Sequence, residues 1–364
     1  MLEFSLEALL ALYSVPGIGP TRMRKLISFF GTPQAVLDAP VRRLTEVETI
    51  DLKTAEKIKT SANTDFVKNQ LTLLKTHDAQ ILTFWDDLYP DRLKRIFDPP
   101  VFLFVKGNLQ LLETNSIAIV GTRVPTSYGK AITEQLAGEL ISGYNFTIIS
   151  GFARGVDTIA HNSAVKNNGK TIAVLGNGLD IIYPTENKRF QEYFSQNGLF
   201  ITEYPFGTKP DSGNFPKRNR IISGLSVGVL ITEAGAKSGA LLTAMYALDQ
   251  NREIFAVPGP VTSGKSTGTN NLIKQGARLV QGVSDIISEI TGLLNMDGVS
   301  QSKPEPNLNG NEKKVYELLN DEAMHIDQLA LNTGLSTSEV LTTLLTLELA
   351  GHIRQMAGKM FTRI

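Results

Sequence analysis

The 364-residue chain contains no cysteine. Disulfide frameworks, thiolate zinc sites and cysteine nucleophiles are therefore excluded. Histidine is scarce: His77, His161, His325 and His352 are scattered along the chain, which argues against a histidine-built metal centre. No apolar run approaches the ~20 residues of a membrane span, and no basic segment leads into an apolar stretch at the N-terminus. A soluble, cytoplasmic protein that does not engage a membrane is expected. Net charge is also missing, with 36 Lys and Arg against 36 Asp and Glu. The remaining composition, 42% hydrophobic and 20% charged, is ordinary for a globular protein. It excludes a disordered or collagen-like chain, and at ~150 residues per domain the length suggests two or three domains.

A zero net charge does not exclude nucleic acid, because the distribution of charge decides. Between Pro205 and Arg220, the cations Lys209, Lys217, Arg218 and Arg220 face one acid, Asp211. Arg22, Arg24 and Lys25 form a second basic cluster, and Arg354, Lys359 and Arg363 a third.

The N-terminal segment reads as small helices. Leu6, Leu9, Leu10 and Tyr13 keep helical spacing, a Pro16-Gly17-Ile18-Gly19-Pro20 turn follows, and Arg22 to Phe30 is amphipathic. Two helices joined by Gly-Ile-Gly make a helix-hairpin-helix candidate, whose second helix could hold a phosphate at its N-terminus beside the basic cluster. The alternative is a small bundle whose hairpin binds nothing. A second hairpin between Thr45 and Ile58 would lack the glycine pattern.

From Ser116 to about Gly282, short Ile/Val-rich runs alternate with helical stretches. The runs are 117–120, 147–149, 171–175, 200–202, 227–231 and 254–257; helices are expected at 131–141, 186–196 and 240–250. Continuous apolar runs with crossover helices predict an α/β fold: a doubly wound, Rossmann-like, mostly parallel sheet buried on both faces. A Gly-, Ser-, Pro- and Asn-rich linker occupies residues 296–311. Beyond it, helices at 312–319, 326–331 and 337–349, then a hairpin of 353–356 and 359–364 turning at Ala357-Gly358, predict a winged helix. Its third helix carries Glu339 and Glu348 but no Lys or Arg, so it reads as a packing or partner-binding module rather than a groove reader.

Ligands of parallel sheets bind at the carboxyl ends of strands, so the residues there are informative. After the first run, Gly121-Thr122-Arg123 suits an anion. After the second, Ser150, Gly151, Phe152, Ala153, Arg154, Gly155, Val156 and Asp157 lead into a helix bearing His161. Arg154 could clamp a phosphate or pair with Asp157, and His161 reads as a packing residue. After the third, Gly176-Asn177-Gly178 lacks the third glycine of a dinucleotide fingerprint, which disfavours a nicotinamide or flavin cofactor. After the fourth, a long loop carries Lys209, Phe215, Lys217, Arg218, Asn219 and Arg220. Its ring could stack on a base while its cations take phosphates, or it could anchor the loop in the core. After the fifth, Glu233 could accept from a sugar hydroxyl or an arginine, and Lys237-Ser238-Gly239 opens another helix. Gly259 to Ser266 satisfies the P-loop pattern. However, a turn-rich stretch is expected after it instead of a helix, and Pro260 removes an amide donor. Nucleotide hydrolysis there is not expected.

The strings from Tyr89-Pro90 through Asp98-Pro99-Pro100 to Lys106-Gly107, Val120 to Arg123, Ser150 to Asp157, and Phe215 to Arg220 resemble the bacterial DNA processing protein A family (DprA, also called Smf). Glu233-Ala234, Ser238-Gly239, Val257-Pro258-Gly259 and Gly268-Thr269-Asn270 extend the likeness to nearly the whole chain. The resemblance implies four segments: a helical helix-hairpin-helix (SAM-like) domain at 1–79, an extended Rossmann-like domain at 80–294, a linker at 295–311 and a winged helix at 312–364. It also implies a non-enzymatic, cofactor-free, single-strand DNA-binding protein of natural transformation. Such a protein protects incoming strands, loads RecA recombinase onto them and forms a homodimer through the Rossmann-like core. The implied DNA pocket holds Gly121, Thr122, Arg123, Ser150, Gly151, Ala153, Arg154, Gly155, Lys209, Phe215, Lys217, Arg218, Asn219, Arg220, Lys237, Ser238 and Gly239, shaped by Asp157, His161 and Glu233. The competing class is an enzyme acting on nucleotides, for which Glu233 is the best acid or base.

Overall fold

The computed structural model describes residues 5–291, 308, 310–319, 324–350, 352–356 and 359–363. The chain divides into two compact units, Met1–Val299 and Ser300–Ile364. Most of the expected linker, and the Ala357-Gly358 turn, lie outside the described residues.

The first unit is built on a nine-stranded sheet of order β1-β2-β6-β5-β4-β3-β7-β8-β9. Its strands are β1 (Gln80–Thr83), β2 (Phe102–Gly107), β3 (Ser116–Val120), β4 (Thr147–Ser150), β5 (Thr171–Val174), β6 (Gly198–Thr202), β7 (Gly228–Ile231), β8 (Glu253–Ala256) and β9 (Arg278–Leu279). The six expected strands are β3 to β8, all parallel. Alternation explains why they read as continuous apolar runs. Ile117 and Ile119 pack under the helices of one face, with Leu136 and Ala160; Ala118 and Val120 pack under those of the other, with Ile222 and Ala244. Sequence patterning did not mark β1 and β2. They pair antiparallel with each other, and β2 runs antiparallel to β6, so no crossover helix flags them.

The path β3-β4-β5-β6 moves one way across the sheet, and β7-β8-β9 leaves from the other side of β3. The carboxyl ends of β3 and β7 therefore flank the switch point, where such sheets open a crevice.

Two corrections concern that crevice. The segment expected as a loop through Arg220 is instead a helix from Asn214–Leu225. Pro216 is accommodated because it stands in the first turn, where its missing N–H has no helical acceptor. The helix buries Arg218, Ile221, Ile222 and Leu225, an i, i+3, i+4, i+7 stripe with an arginine in it. Likewise the turn-rich stretch after Ser266 is the helix Thr267–Lys274. The P-loop-like string thus does join a strand to a helix, but several of its amides are engaged internally. Gly259 N–H donates to Asn270 Oδ1 at 3.1 Å, Ser263 N–H to Pro260 O and Ser266 N–H to Ser263 O at 3.0 Å each. Those three donors are not free to cradle a phosphate, whereas the helix at Thr267 removes the expected absence of a helix as a ground against the motif.

The N-terminal helices share one apolar core with Phe102, Phe104 and Phe206 of the sheet region. Both hairpins form. Val15 N–H donates to Leu12 O and Ile18 N–H to Val15 O; thirty-two residues on, Val47 donates to Leu44 and Ile50 to Val47. Gly17 takes φ +93°, and its counterpart Thr49 takes φ +79° without being glycine, so composition hid the repeat. The basic cluster does not present a free phosphate site. Arg22 donates to Gly17 O, Arg24 to Pro99 O and Lys25 to Glu48.

In the second unit, helices Gly310–Leu318, Ile326–Thr333 and Thr337–Leu349 pack with β10 (Met324–His325), β11 (Ile353–Met356) and β12 (Met360–Arg363), in sheet order β10-β12-β11. Val315, Leu329, Val340, Leu344 and Phe361 form its own core, giving the expected winged helix. Leu341 and Leu345 of the third helix are exposed. Arg354 and Lys359 are exposed, whereas Arg363 lies 3.9 Å from the Tyr316 ring centroid and donates to the Tyr316 carbonyl.

Candidate nucleic-acid interface

A cleft of about 760 Å³ opens at the switch point. Its walls come from the turn after β3 (Gly121, Thr122, Arg123), the loop after β4 (Ala153, Asp157), the start of helix Asn214–Leu225 (Phe215, Arg218, Asn219) and the turn after β7 (Lys237, Ser238, Gly239). These predicted residues meet in space although more than a hundred positions separate the first from the last. A smaller adjoining cavity adds Gly151, Arg154 and Gly176, with Arg123, Ala153, Tyr183 and Phe215 shared between the two.

The half-buried Phe215 ring is the pivot. It stacks with Tyr183, centroids 5.8 Å apart at 25°, and the Arg123 guanidinium carbon stands 5.6 Å from its centroid. Gly176 is small for this ring, since a Cβ there would sit 2.8 Å from Phe215 Cδ1. Arg123 and Lys237 are exposed on the rim. Sequence reasoning missed Tyr183 and Lys265. The latter lines the cleft from the P-loop-like segment and donates Nζ to Val124 O at 2.9 Å. Nothing near Tyr183 in sequence announces its ring contact. Lys265 was visible as the lysine of a motif read only for hydrolysis.

The floor is built from buried charge. Arg218 is 3% exposed and donates Nη1 to the carbonyls of Gly151 (2.7 Å) and Val174. Burial lowers it to about 10, opposed by the Asp157 charge. The Asp157 carboxyl is pushed up to about 6 by burial, against Arg218 and the Ala153 N–H, which donates to it at 3.3 Å. Gly151 lies between them, where a Cβ would be 2.5 Å from Arg218 Nη2 and 2.7 Å from Asp157 Oδ2. Arg218 thus braces two strand-end carbonyls as well as lining the cleft. Gly155, at φ +78°, passes against the Thr122 and Arg123 backbone, which leaves no room for a side chain.

Other predicted residues stand back from the cleft. Ser150 is buried and donates to Ile119 O. Arg154 does not pair with Asp157; it forms a 2.9 Å ion pair with Glu186 on the surface. Lys209 and Lys217 are exposed beside the cleft without lining it. Arg220 is engaged by Glu203, donating at 2.7 and 3.1 Å, and lies 3.7 Å from Asp98, so it does not face a ligand. His161 is fully buried among Phe152 and Phe194, bonded to the Thr171 hydroxyl and lowered to about 3 by burial. Glu233, the carboxylate a hydrolytic site would need, is 3% exposed and accepts from the Thr126 N–H (2.8 Å) and hydroxyl (2.6 Å). It holds Thr126, the N-cap of helix Ser127–Tyr144, and does not line the cleft. Among the described residues no group of three His, Cys, Asp or Glu could hold a metal, and no helix is long and apolar enough to cross a membrane.

The fold and site define a class: a Rossmann-like protein with a basic, aromatic-pivoted cleft at its switch point, preceded by tandem helical hairpins and followed by a winged helix. The particular family is given by comparison. The chain belongs to the DNA recombination-mediator protein A family (DprA, Smf), whose model matches residues 80–291. Residues 299–359 match the DprA winged helix domain, and residues 9–64 match a SAM-like helix-hairpin-helix tandem. The chain is 34% identical to Protein Smf of Synechocystis sp. over 97% of this chain and 98% of that protein. It is similar to the X-ray structure of DNA processing protein A from Streptococcus pneumoniae, with TM-score 0.70 and 33% identity, covering 78% of this chain and 98% of that one. It also resembles DNA processing protein A from Helicobacter pylori, described for its single-stranded DNA binding mode, with TM-score 0.53 and 35% identity over 58% of this chain and 96% of that one.

Proposed function

We propose that the cleft binds single-stranded DNA, with a base against Phe215 and backbone phosphates on Arg123, Lys237 and Lys265. The observation that carries this reading is the half-exposed Phe215 ring set beside exposed cations. Stacking on a ring tolerates any base, and surrounding cations track the backbone, the combination that single-strand binders use. A strand so held would be protected and handed to RecA recombinase during natural transformation, in keeping with the family's description as recombination mediators. Self-association would use the apolar residues Met245 (61% exposed) and Leu248 (68% exposed), one turn apart on helix Ala240–Asp249, with Leu279 of the edge strand β9 as a further exposed apolar group. A homodimer through this face is the expected state, which light scattering of the parent and of Met245→Glu reads directly.

The test of the binding reading is anisotropy of a labelled oligo-dT titrated at several salt concentrations, with unlabelled duplex as competitor. Tight, salt-sensitive binding that duplex displaces poorly supports it. Duplex-preferring or absent binding refutes it. RecA filament assembly on strands coated with single-strand-binding protein tests the mediator step separately.

A further inference from the structure

A group of arginines outside the cleft remains unexplained. Helix Asp91–Lys94 and the turn after it carry Arg92 and Arg95, and Arg252 enters from the residue before β8. Arg252 donates Nη2 to the Arg92 carbonyl at 2.9 Å, which draws them into one patch. Among the described residues none of the three forms an ion pair. Burial and, after it, the neighbouring arginines hold both Arg92 and Arg252 below the ordinary guanidinium value. Arg252 Nε is buried with no partner, as is Gln250 Oε1 two residues earlier. Phe97, two residues past Arg95, is fully exposed.

Helix C-termini welcome a cation, and helix Ala240–Asp249 ends beside Arg252. That accounts for one arginine. It does not account for three that repel one another without a carboxylate partner, nor for a bare phenylalanine two residues past Arg95. The chemistry repeats that of the cleft, where Arg123 stands by Phe215. The location links the two. Gly224 of helix Asn214–Leu225 lies so close to Leu93 that a Cβ would come within 2.8 Å of its Cδ1, and Gln250 donates to Arg220 O. The arginine patch therefore meets the C-terminal half of the helix whose first turn holds Phe215. Twelve residues at ~1.5 Å each separate its ends by roughly 18 Å.

We propose that Arg92, Arg95, Arg252 and Phe97 form a second binding site for single-stranded nucleic acid, taking the backbone of a strand that runs on from the cleft. The proposal rests on the reading of the cleft as a single-strand site, and its test separates the two. The full chain, Arg95→Ala, Arg95→Ala/Phe97→Ala and the cleft variant Arg123→Ala are titrated with oligo-dT of ~6 and ~30 nucleotides, one inside and one beyond the usual footprint of a binding fold. Arg95 and Phe97 are exposed, so circular dichroism should match the parent. The expected result is parent-like binding of the short probe by both patch variants. On the long probe they bind roughly threefold to tenfold more weakly, with a salt slope less negative by ~0.7 for each phosphate that is no longer neutralised. Parent affinity and slope on the long probe overturn the proposal, and would leave the patch to an acidic protein surface. Equal losses on both probes also overturn it, because the patch would then not be distant from the cleft. If Arg123→Ala binds both probes like the parent while Arg95→Ala weakens the long one, the cleft reading fails and the patch stands as a separate site.

Discussion

Replacing Phe215 with alanine separates stacking from charge at the candidate cleft. The ring carries no charge, stands in the first turn of its helix and packs against Gly176 and Tyr183. Truncation removes the surface on which a base would lie. Base–aromatic stacking is worth ~1–3 kcal/mol per base by alanine substitution, which corresponds to roughly fivefold to 150-fold in Kd. The Arg123 guanidinium 5.6 Å away loses its partner ring as well. At an exposed site that cation–ring interaction contributes ~0.5–1 kcal/mol to holding the cation in place, so the loss falls toward the upper half of the range. No phosphate-binding cation is removed, so the logarithm of the association constant against log salt keeps the parent slope. Arg123→Ala should do the reverse, making the slope less negative by ~0.7. Anisotropy of labelled oligo-dT at four or five salt concentrations measures both quantities, and a thermal melt establishes that each variant is folded. Phe215 is not a stacking platform if Phe215→Ala binds within about twofold of the parent, or if it loses affinity and slope together.

Three further outcomes follow from the same structure. Asp157 has a folded value of about 6 against 3.8 unfolded, so the folded chain binds more protons between those values. Its contribution to stability is therefore lost as pH rises through that window, and the stability difference between the parent and Asp157→Asn, read by thermal melts across it, should shift against the parent as pH rises. Arg220→Ala leaves Glu203, 15% exposed, without its ion-pair partner and should cost ~3–5 kcal/mol in denaturant unfolding, with little change in the salt slope of DNA binding, because Arg220 does not face the cleft. Thr49→Gly relieves a left-handed backbone at φ +79° and should stabilise the chain by up to ~1 kcal/mol after the entropic cost of glycine; a lower melting temperature would show that Thr49 carries no such strain.

The parts of this fold that were legible in the sequence are those governed by short-range rules. Ile117 to Val120 and its companions read as buried parallel strands because both faces of the sheet are covered. Strand-end logic then brought Gly121-Thr122-Arg123, Phe215 and Lys237 to one place. What was hidden depends on partners distant in the chain. Gln80–Thr83 and Phe102–Gly107 pair antiparallel at an edge with no crossover to betray them. Pro216 disguised the helix that turns Arg218 inward. Charge density between Pro205 and Arg220 suggested a uniform phosphate track, but Arg220 neutralises Glu203 and Arg218 braces backbone carbonyls. Only tertiary contacts distinguish a cation that supports the floor from one that faces the ligand. The hairpin repeat escaped for the opposite reason. Its hydrogen bonds are local, but Thr49 occupies a backbone position that composition assigns to glycine.

The proposed function requires a single strand in the switch-point cleft with a base on Phe215. Photo-crosslinking the full chain to an oligo-dT carrying 4-thiothymidine, followed by peptide mass spectrometry, tests it most directly. The principal adducts should fall on Phe215 or Tyr183 and disappear in Phe215→Ala. Adducts confined to the helix Pro20–Phe30 or to the winged helix, unchanged by that substitution, would rule it out.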